Sequence, residues 1–312
     1  MRLERKIATV FGGSGFLGRY VVQRLAAQGY IVRAGVRDTE AAKILRPMGA
    51  VGQIVPLYAP VSSESLVARA VEGANIVINL TGILNESKKR EFFDTHTDGA
   101  GRIARLARSV GARLVHVSAI GADSSSESAY ARSKGEGEQA VKNAHSGAAI
   151  LRPSVIFGPE DQFFNRFAMI AAHAPVLPIV HGTTKLQPVY VADVADAVLA
   201  ALEPEAFGQI YELGGPEQKS LKALLEQMLG IIERRSLIWD MPVCLAKLIA
   251  CIPYSGLTRD QITLLKSDNV VARDAAGLET LGITPSRLDL VLPTYLARYR
   301  VAGRSHSDIF SE

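Results

Sequence analysis

Over the first 160 residues the hydrophobic positions alternate between two rhythms. Ile7 to Phe11 is a continuous apolar run that reads as a strand. After a glycine-rich turn, Val21, Val22, Leu25 and Ala26 recur on one helical face, and Gly29 is a C-cap candidate. Ile31 to Val36 reads as a second strand, 52–58 as a third and Asn75 to Leu80 as a fourth, with a helix over 63–70. A long helix is predicted over 90–109, a fifth strand from Arg113 to Ser118, a helix from Tyr130 to Asn143 and a sixth strand from Ala149 to Phe157. Nearly all-apolar strands joined by helices predict an α/β fold with a parallel sheet covered on both faces. Right-handed crossovers bring every strand's carboxyl end to one edge, where such sheets bind ligands.

After Gly158 the rhythm changes. Residues 163–174 look helical, and "KLQPVYVADVADAVLAALE" (185–203) reads as a strand entering a further sheet-covering helix. The expected organisation is a nucleotide-binding domain over 1–160, rejoined by 185–205, with 161–184 and 206–312 forming a smaller, mostly helical C-terminal cap. There is no internal repeat or low-complexity segment, and the last dozen residues, with Ser305, His306 and Ser307, read as a loose tail.

Hydrophobic residues make up 48% of the 312 and charged residues 21%, which excludes intrinsic disorder. Thirty-five basic against 31 acidic residues leave +4, too mild and dispersed for a nucleic-acid binder but compatible with an anionic membrane face. No run approaches the roughly 20 apolar residues of a bilayer span, and the first strand starts near Lys6 with no signal or transit peptide before it. This predicts a soluble or peripheral bacterial chain. Cys244 and Cys251 make neither a disulfide framework nor a zinc site, and read as two buried thiols on one helix face. The six histidines show no metal spacing, His96 and His116 read as structural, and no metal is expected. Asp193 and Asp196 flank a helix start, where carboxylates suit the dipole. The short run Pro242 to Pro253, with Lys247 its one charge, is either a buried helix or a membrane-surface helix. Arg234, Arg235, Arg259, Arg298, Arg300 and Arg304 are available to meet anionic headgroups.

"TVFGGSGFLGRYVV" places Gly12, Gly15 and Gly18 at three-residue spacing between a strand and a helix. Gly12 permits a tight turn, Gly15 lets a pyrophosphate approach backbone N–H groups, and Gly18 lets the helix lie against the sheet. This context makes the domain a Rossmann-type, doubly wound one. At the end of the second strand, Val36 stands where an NAD site would carry its acid, and Arg37 follows. A guanidinium suits the 2′-phosphate of NADP(H). Asp38, twenty residues after Gly18, is the competing nomination for a ribose hydroxyl.

"YARSK" sets Tyr130 and Lys134 four apart on one helix face, and Ser118 ends the fifth strand at the same sheet edge. An ammonium beside a phenol lowers the phenol's pKa from about 10. Tyr130 is then able to trade a proton with a carbonyl or alcohol whose oxygen Ser118 polarises, while Lys134 reaches the nicotinamide ribose.

These segments, with "NLTG" (79–82), "HVSAIGA" and "RPSVIFGPED", follow the order of extended or atypical short-chain dehydrogenase/reductases, a resemblance covering at least residues 6–215. More narrowly, "VINLTGILNE", "SSSESAYARSK", "LRPSVIFGPEDQFFNRFA", "QPVYVADVADAV" and "LLKSDNVV" make the chain similar to the NADPH-binding accessory subunits of respiratory complex I. That resemblance implies tightly held NADPH without turnover, docking on other complex I subunits at the junction of the peripheral and membrane arms, and a peripheral contact with anionic lipid through the cap helices. It implies a place on the cytoplasmic face of a bacterial inner membrane, or the matrix side in a eukaryote. Carried over by position, Gly12, Ser14, Gly15, Phe16, Leu17 and Gly18 hold the pyrophosphate and Arg37 the 2′-phosphate. Leu80, Thr81 and Gly82 line the adenine-side ribose. Ser118, Tyr130 and Lys134 surround the nicotinamide as an active or vestigial catalytic set, followed by Arg152, Pro153, Ser154 and Val155. The acid that many relatives carry near the adenine is absent from Leu57-Tyr58-Ala59-Pro60-Val61. The alternative is a working NADP-dependent reductase or epimerase with Tyr130 as acid/base.

Overall fold

The computed structural model describes residues 6–86, 88, 90–251 and 257–300. In chain order the elements are β1 (Ile7–Phe11), α1 (Phe16–Ala27), β2 (Ile31–Val36), β3 (Ile54–Tyr58), α2 (Glu64–Val71), β4 (Ile76–Asn79), α3 (Ala100–Ser109), β5 (Arg113–Val117), α4 (Ala129–Ala144) and β6 (Ala149–Pro153). There follow β7 (Ile156–Phe157), α5 (Phe164–His173), β8 (Val176–Ile179), β9 (Lys185–Leu186), β10 (Val189–Tyr190), α6 (Val191–Ala200) and β11 (Ile210–Leu213). Last come β12 (Lys219–Ser220), α7 (Leu221–Ile231), β13 (Leu237–Asp240), α8 (Val243–Ile249), α9 (Arg259–Leu264) and α10 (Leu288–Leu296). They fall into two compact units.

The first unit comprises the segment ending at Ser154, Val191–Gly214 and Val271–Pro285. Its seven strands lie in the order β11-β6-β5-β4-β1-β2-β3, all parallel. The order reverses between β1 and β4, which creates the crevice at the carboxyl edge. Phe11, Val77 and Leu114 from the strands pack with Val67, Ile103 and Val141 from α2, α3 and α4 in one buried cluster. Each such side chain contributes roughly 1.5–3 kcal/mol on burial. On the opposite face α1 meets α6, and Arg24 Nε donates to Asp196 Oδ1 at 2.5 Å.

The expected domain boundaries shift at four points: residues 155–160 and 185–190 fall in the second unit, and two segments given to the cap return to the first. Ile210–Leu213, assigned to the cap by its position in the sequence, is the edge strand β11, in register with β6. Residues Val271–Pro285 also return to this unit, where Glu212 N donates to Ala276 O at 2.9 Å and covers that edge. A four-residue strand and an irregular segment carry no periodicity, so neither was readable. The predicted helix over 90–109 is a π-helical turn, Phe93–Gly99, leading into α3.

The second unit comprises Val155–Tyr190, Gly215–Val270 and the segment from Ser286. Phe157, Phe164, Leu177, Leu224, Leu292 and Tyr295 form its core. The buried Asp161 of "GPED" caps the loop before α5: its Oδ1 accepts from Phe163 N (2.9 Å) and Asn165 N (3.1 Å), its Oδ2 from Gly158 N (3.1 Å) and Tyr295 Oη (2.6 Å). The cysteine expectation fails. Both thiols are exposed, and Cys251 lies beyond the end of α8, where its Sγ accepts from Arg259 Nη2 at 3.1 Å. Too few helical residues follow Cys244 for the seven-residue spacing to define a face. The tail residues Ser305, His306 and Ser307, with Arg304 and Pro253, lie outside the described residues. Among those described, no helix is long and apolar enough to cross a membrane.

Candidate functional site

The glycine turn sits at the switch point. Gly12 has φ +79°, and Gly12 N donates to Gly35 O at 3.1 Å, tying the turn to β2. A Cβ at Gly12 would stand 3.1 Å from the Leu80 carbonyl carbon and oxygen, and one at Gly18 would lie 2.2 Å from Gly12 O and 2.6 Å from Gly13 O. Gly18 is therefore what lets α1 press onto the turn. Gly15 is the N-cap of α1, and no acid stands in the helix's first turn. The first-turn amides of Phe16, Leu17 and Gly18 lack intrahelical acceptors and, with the helix dipole, favour an anion. Beside them at the end of β2, Arg37 is exposed and has no side-chain partner among the described residues. Asp38 is engaged locally: its Oδ1 accepts from Glu40 N (2.9 Å) and Ala41 N (3.0 Å).

The next two strand ends carry a buried polar network. Asn79 of β4 and His116 of β5 are in register and buried. Asn79 Oδ1 accepts from Thr81 N (3.1 Å) and Thr81 Oγ1 (2.5 Å), so its amide nitrogen donates to His116 Nδ1 at 3.0 Å. The network thus assigns the His116 proton to Nε2, a buried donor with no partner among the described residues. Ser118, two residues on and on the same face, has a buried Oγ that is likewise without a partner. Ile83 N donates to His96 Nε2 at 3.1 Å, so Nδ1 carries the proton toward Ser133 Oγ (3.0 Å), which donates onward to Tyr130 O (2.8 Å). Burial first, then the Lys134 charge, lowers both imidazoles, His96 to about 2 and His116 to about 3. Both are neutral at physiological pH.

Tyr130 and Lys134 enter on α4, whose N-cap Ser128 accepts from Ala131 N at 3.2 Å. Two glycines seat the helix: a Cβ at Gly135 would lie 2.4 Å from Ser124 N, and one at Gly137 would lie 2.1 Å from His96 O in the π turn. The Tyr130 ring meets His96 and Phe92 edge-on, with centroids 5.5 and 5.8 Å away. Burial pushes its phenol up to about 12. This differs from the expected lowering, because the phenol is walled by rings and the Lys134 ammonium turns to Val117 O at 3.4 Å. Burial pulls Lys134 down to about 8, against the opposing pull of the Glu138 carboxylate.

Arg152 is braced by α4 one helical turn beyond Lys134. Its Nε and Nη2 donate to Glu138 Oε1 (2.9 Å) and Oε2 (2.7 Å), and Nη1 approaches Glu212 Oε1 at 3.4 Å. Its guanidinium is thus held by two carboxylates, and the bidentate pair fixes α4 to β6. Pro153 ends β6, its carbonyl accepting from Ile120 N at 3.0 Å, Ser154 follows, and Val155 opens the second unit. Among the described residues no His/Cys/Asp/Glu group could hold a metal. The bare glycine cradle and the orphaned Ser118 Oγ fit a dinucleotide, which would run from Arg37 across the first turn of α1 to Tyr130 and Lys134. Sequence reasoning missed Asn79, His96 and His116 as a network. The available signal was two polar residues in all-apolar strands, each just before the strand's end.

Fold and cradle define a nicotinamide-dinucleotide-binding protein. The model of the "NAD dependent epimerase/dehydratase family" matches residues 8–214. The crystal structure of dTDP-glucose 4,6-dehydratase from Streptomyces venezuelae, holding NAD, superposes with a TM-score of 0.73 at 19% identity over 94% of this chain and 96% of that one. Among curated proteins, "NADH dehydrogenase (ubiquinone) 1 alpha subcomplex subunit 9, mitochondrial" of Arabidopsis thaliana is 35% identical over 98% of this chain and 81% of its own. The Mus musculus protein of the same name is 35% identical over 97% of this chain and 83% of its own. The chain belongs to the NAD dependent epimerase/dehydratase family and, within it, to the group of these complex I subunits.

Proposed function

We propose that this protein is an NADPH-binding accessory subunit of respiratory NADH:ubiquinone oxidoreductase, at the junction of its peripheral and membrane arms, with the cofactor held rather than turned over. The observation that carries the reading is the near full-length likeness to relatives named as subunits of that complex. In this reading the amides of Phe16, Leu17 and Gly18, with the turn at Gly12, Ser14 and Gly15, hold the pyrophosphate. Arg37 meets the 2′-phosphate, because Asp38 is consumed by its own turn. Leu80, Thr81 and Gly82 line the ribose, with Ser118, Tyr130, Lys134, Pro153 and Ser154 around the nicotinamide. Arg152 acts as a brace for α4. When bound, the nicotinamide would supply hydride chemistry. At neutral pH Tyr130 remains a protonated phenol, able to donate a proton and not to abstract one. Bound nucleotide then stabilises the fold by mass action. The protein sits peripherally on the cytoplasmic face of a bacterial inner membrane, or its matrix counterpart.

A second reading, an NADP-dependent reductase or epimerase, is favoured by the retained Ser118–Tyr130–Lys134 set and the free Ser118 Oγ. Extraction of membranes in mild detergent followed by size fractionation tests the first reading. The protein is expected to comigrate with NADH:ubiquinone reductase activity, and Tyr130→Phe is expected to leave assembly and respiration intact. A free soluble oligomer that oxidises NADPH with a small carbonyl, and loses this with Tyr130→Phe, would establish the second reading instead.

A further inference from the structure

The strand pair β8–β13 in the second unit is apolar on both faces. Leu177 and Ile179 of β8 and Ile238 of β13 turn into the core of that unit. The parallel register pairs Val176 with Leu237 and Pro178 with Trp239 on the outward face. There Leu237 is 67% exposed, Trp239 44% and Val176 38%, and Pro178 is exposed too. A strand covered on one side ordinarily alternates apolar-in and polar-out. Four adjoining apolar side chains facing water therefore mark an interaction surface.

At the head of the strip lies a shallow cavity of about 320 Å³, between the C-terminal turn of α5 and the segment Arg234, Arg235 and Ser236. Ser236 Oγ is satisfied by Ala171 O and Ala174 O, and Arg234 Nε donates to Tyr299 O at 3.2 Å. Arg235 is exposed and has no partner among the described residues. The carboxylates nearest in sequence are engaged: Glu233 faces Arg300 at 3.6 Å, and Asp240 accepts from Gly182 N at 2.9 Å. Guanidinium groups at the end of a flat apolar strip that carries a tryptophan match the two halves of an anionic phospholipid, phosphate and acyl chain.

We propose that the outward face of β8–β13, with Arg234 and Arg235 at its head, is the surface by which this protein rests on an anionic phospholipid bilayer. This deepens the peripheral-subunit reading, and places the contact on a strand pair rather than on the helix α8.

Trp239 is the chain's only tryptophan, so its emission reports this face alone. The NADPH-loaded protein is titrated with vesicles of phosphatidylcholine and phosphatidylglycerol, and with phosphatidylcholine alone. The mixed vesicles are expected to shift Trp239 emission to the blue and the neutral ones to bind much more weakly. Each basic residue at an anionic surface contributes about 1 kcal/mol and a charge reversal counts twice, so Arg235→Glu is expected to weaken vesicle binding about thirtyfold. Leu237→Glu is expected to abolish the shift, while Leu237→Met keeps it and controls for folding. Emission unmoved by either vesicle overturns the proposal, as does unaltered binding by Arg235→Glu. A shift produced equally by inorganic phosphate, or only by purified complex I, also overturns it. Comigration with the complex is read without vesicles, so its failure and this one are distinguishable.

Discussion

Gly18→Ala separates the nucleotide cradle from ordinary helix packing. The new Cβ would sit 2.2 Å from Gly12 O and 2.6 Å from Gly13 O, both backbone atoms. Relief requires about 1 Å of movement of α1 away from the turn, since such contacts ordinarily exceed 3 Å. Overpacking of this kind costs roughly 1–3 kcal/mol of stability. The same movement displaces the first-turn amides of α1, and losing one charge-assisted hydrogen bond to a phosphate costs about 1.5–3 kcal/mol, or roughly 10- to 150-fold in affinity. NADPH fluorescence titration and thermal unfolding of the nucleotide-free protein measure the two effects. Gly29→Ala is the control: Gly29 has φ +84° with nothing near its would-be Cβ. It is expected to lose about 1–2 kcal/mol of stability without loss of NADPH affinity. Gly18→Ala retaining wild-type NADPH affinity would refute the cradle, and equal affinity losses in both variants would show that general destabilisation is being read.

Three further perturbations address the electrostatics. His96 and His116 have folded pKa values below the unfolded one of 6.5, at about 2 and about 3, so between those limits the unfolded chain binds the extra protons. Stability of the nucleotide-free protein is therefore complete above about 6.5 and falls as pH drops toward 3, by up to about 1.4 kcal/mol per pH unit for each imidazole. His116→Gln is expected to remove one proton from the uptake on unfolding, and an unchanged denaturation-versus-pH slope would contradict this. Glu138→Gln removes the charge and one of the two acceptor oxygens facing Arg152, leaves Glu212 at 3.4 Å as its one carboxylate among the described residues, and is expected to cost about 3 kcal/mol in urea unfolding. Arg37→Glu is expected to reduce retention of NADPH and spare NADH, as read by nucleotide content after gel filtration; unchanged retention would remove Arg37 from the site.

What could be read in advance was local. β1, the glycine turn and α1 are contiguous, and strand, turn and helix each carry their own pattern, so Gly12, Gly15 and Gly18 announced themselves. Tyr130 and Lys134 were visible as one helix face, and Ser118 as a strand end. The features that escaped depend on long-range pairing. β11 is recognisable only beside β6, and the Asn79–His116 hydrogen bond only once β4 and β5 are in register. Arg152 stands near the cleft in sequence, but Glu138, one helical turn past Lys134, claims its guanidinium. The Tyr130 phenol was expected to be lowered by its lysine, yet the enclosing rings of Phe92 and His96 make burial the larger effect.

The most direct test of the account is the nucleotide carried by the protein when it is purified from membranes. Acid and alkaline extraction, followed by enzymatic cycling, is predicted to give NADPH in stoichiometric amount, unchanged after the associated NADH:ubiquinone reductase has turned over. Recovery of NAD(H), of no nucleotide at all, or of NADPH that is oxidised in step with quinone reduction would contradict it.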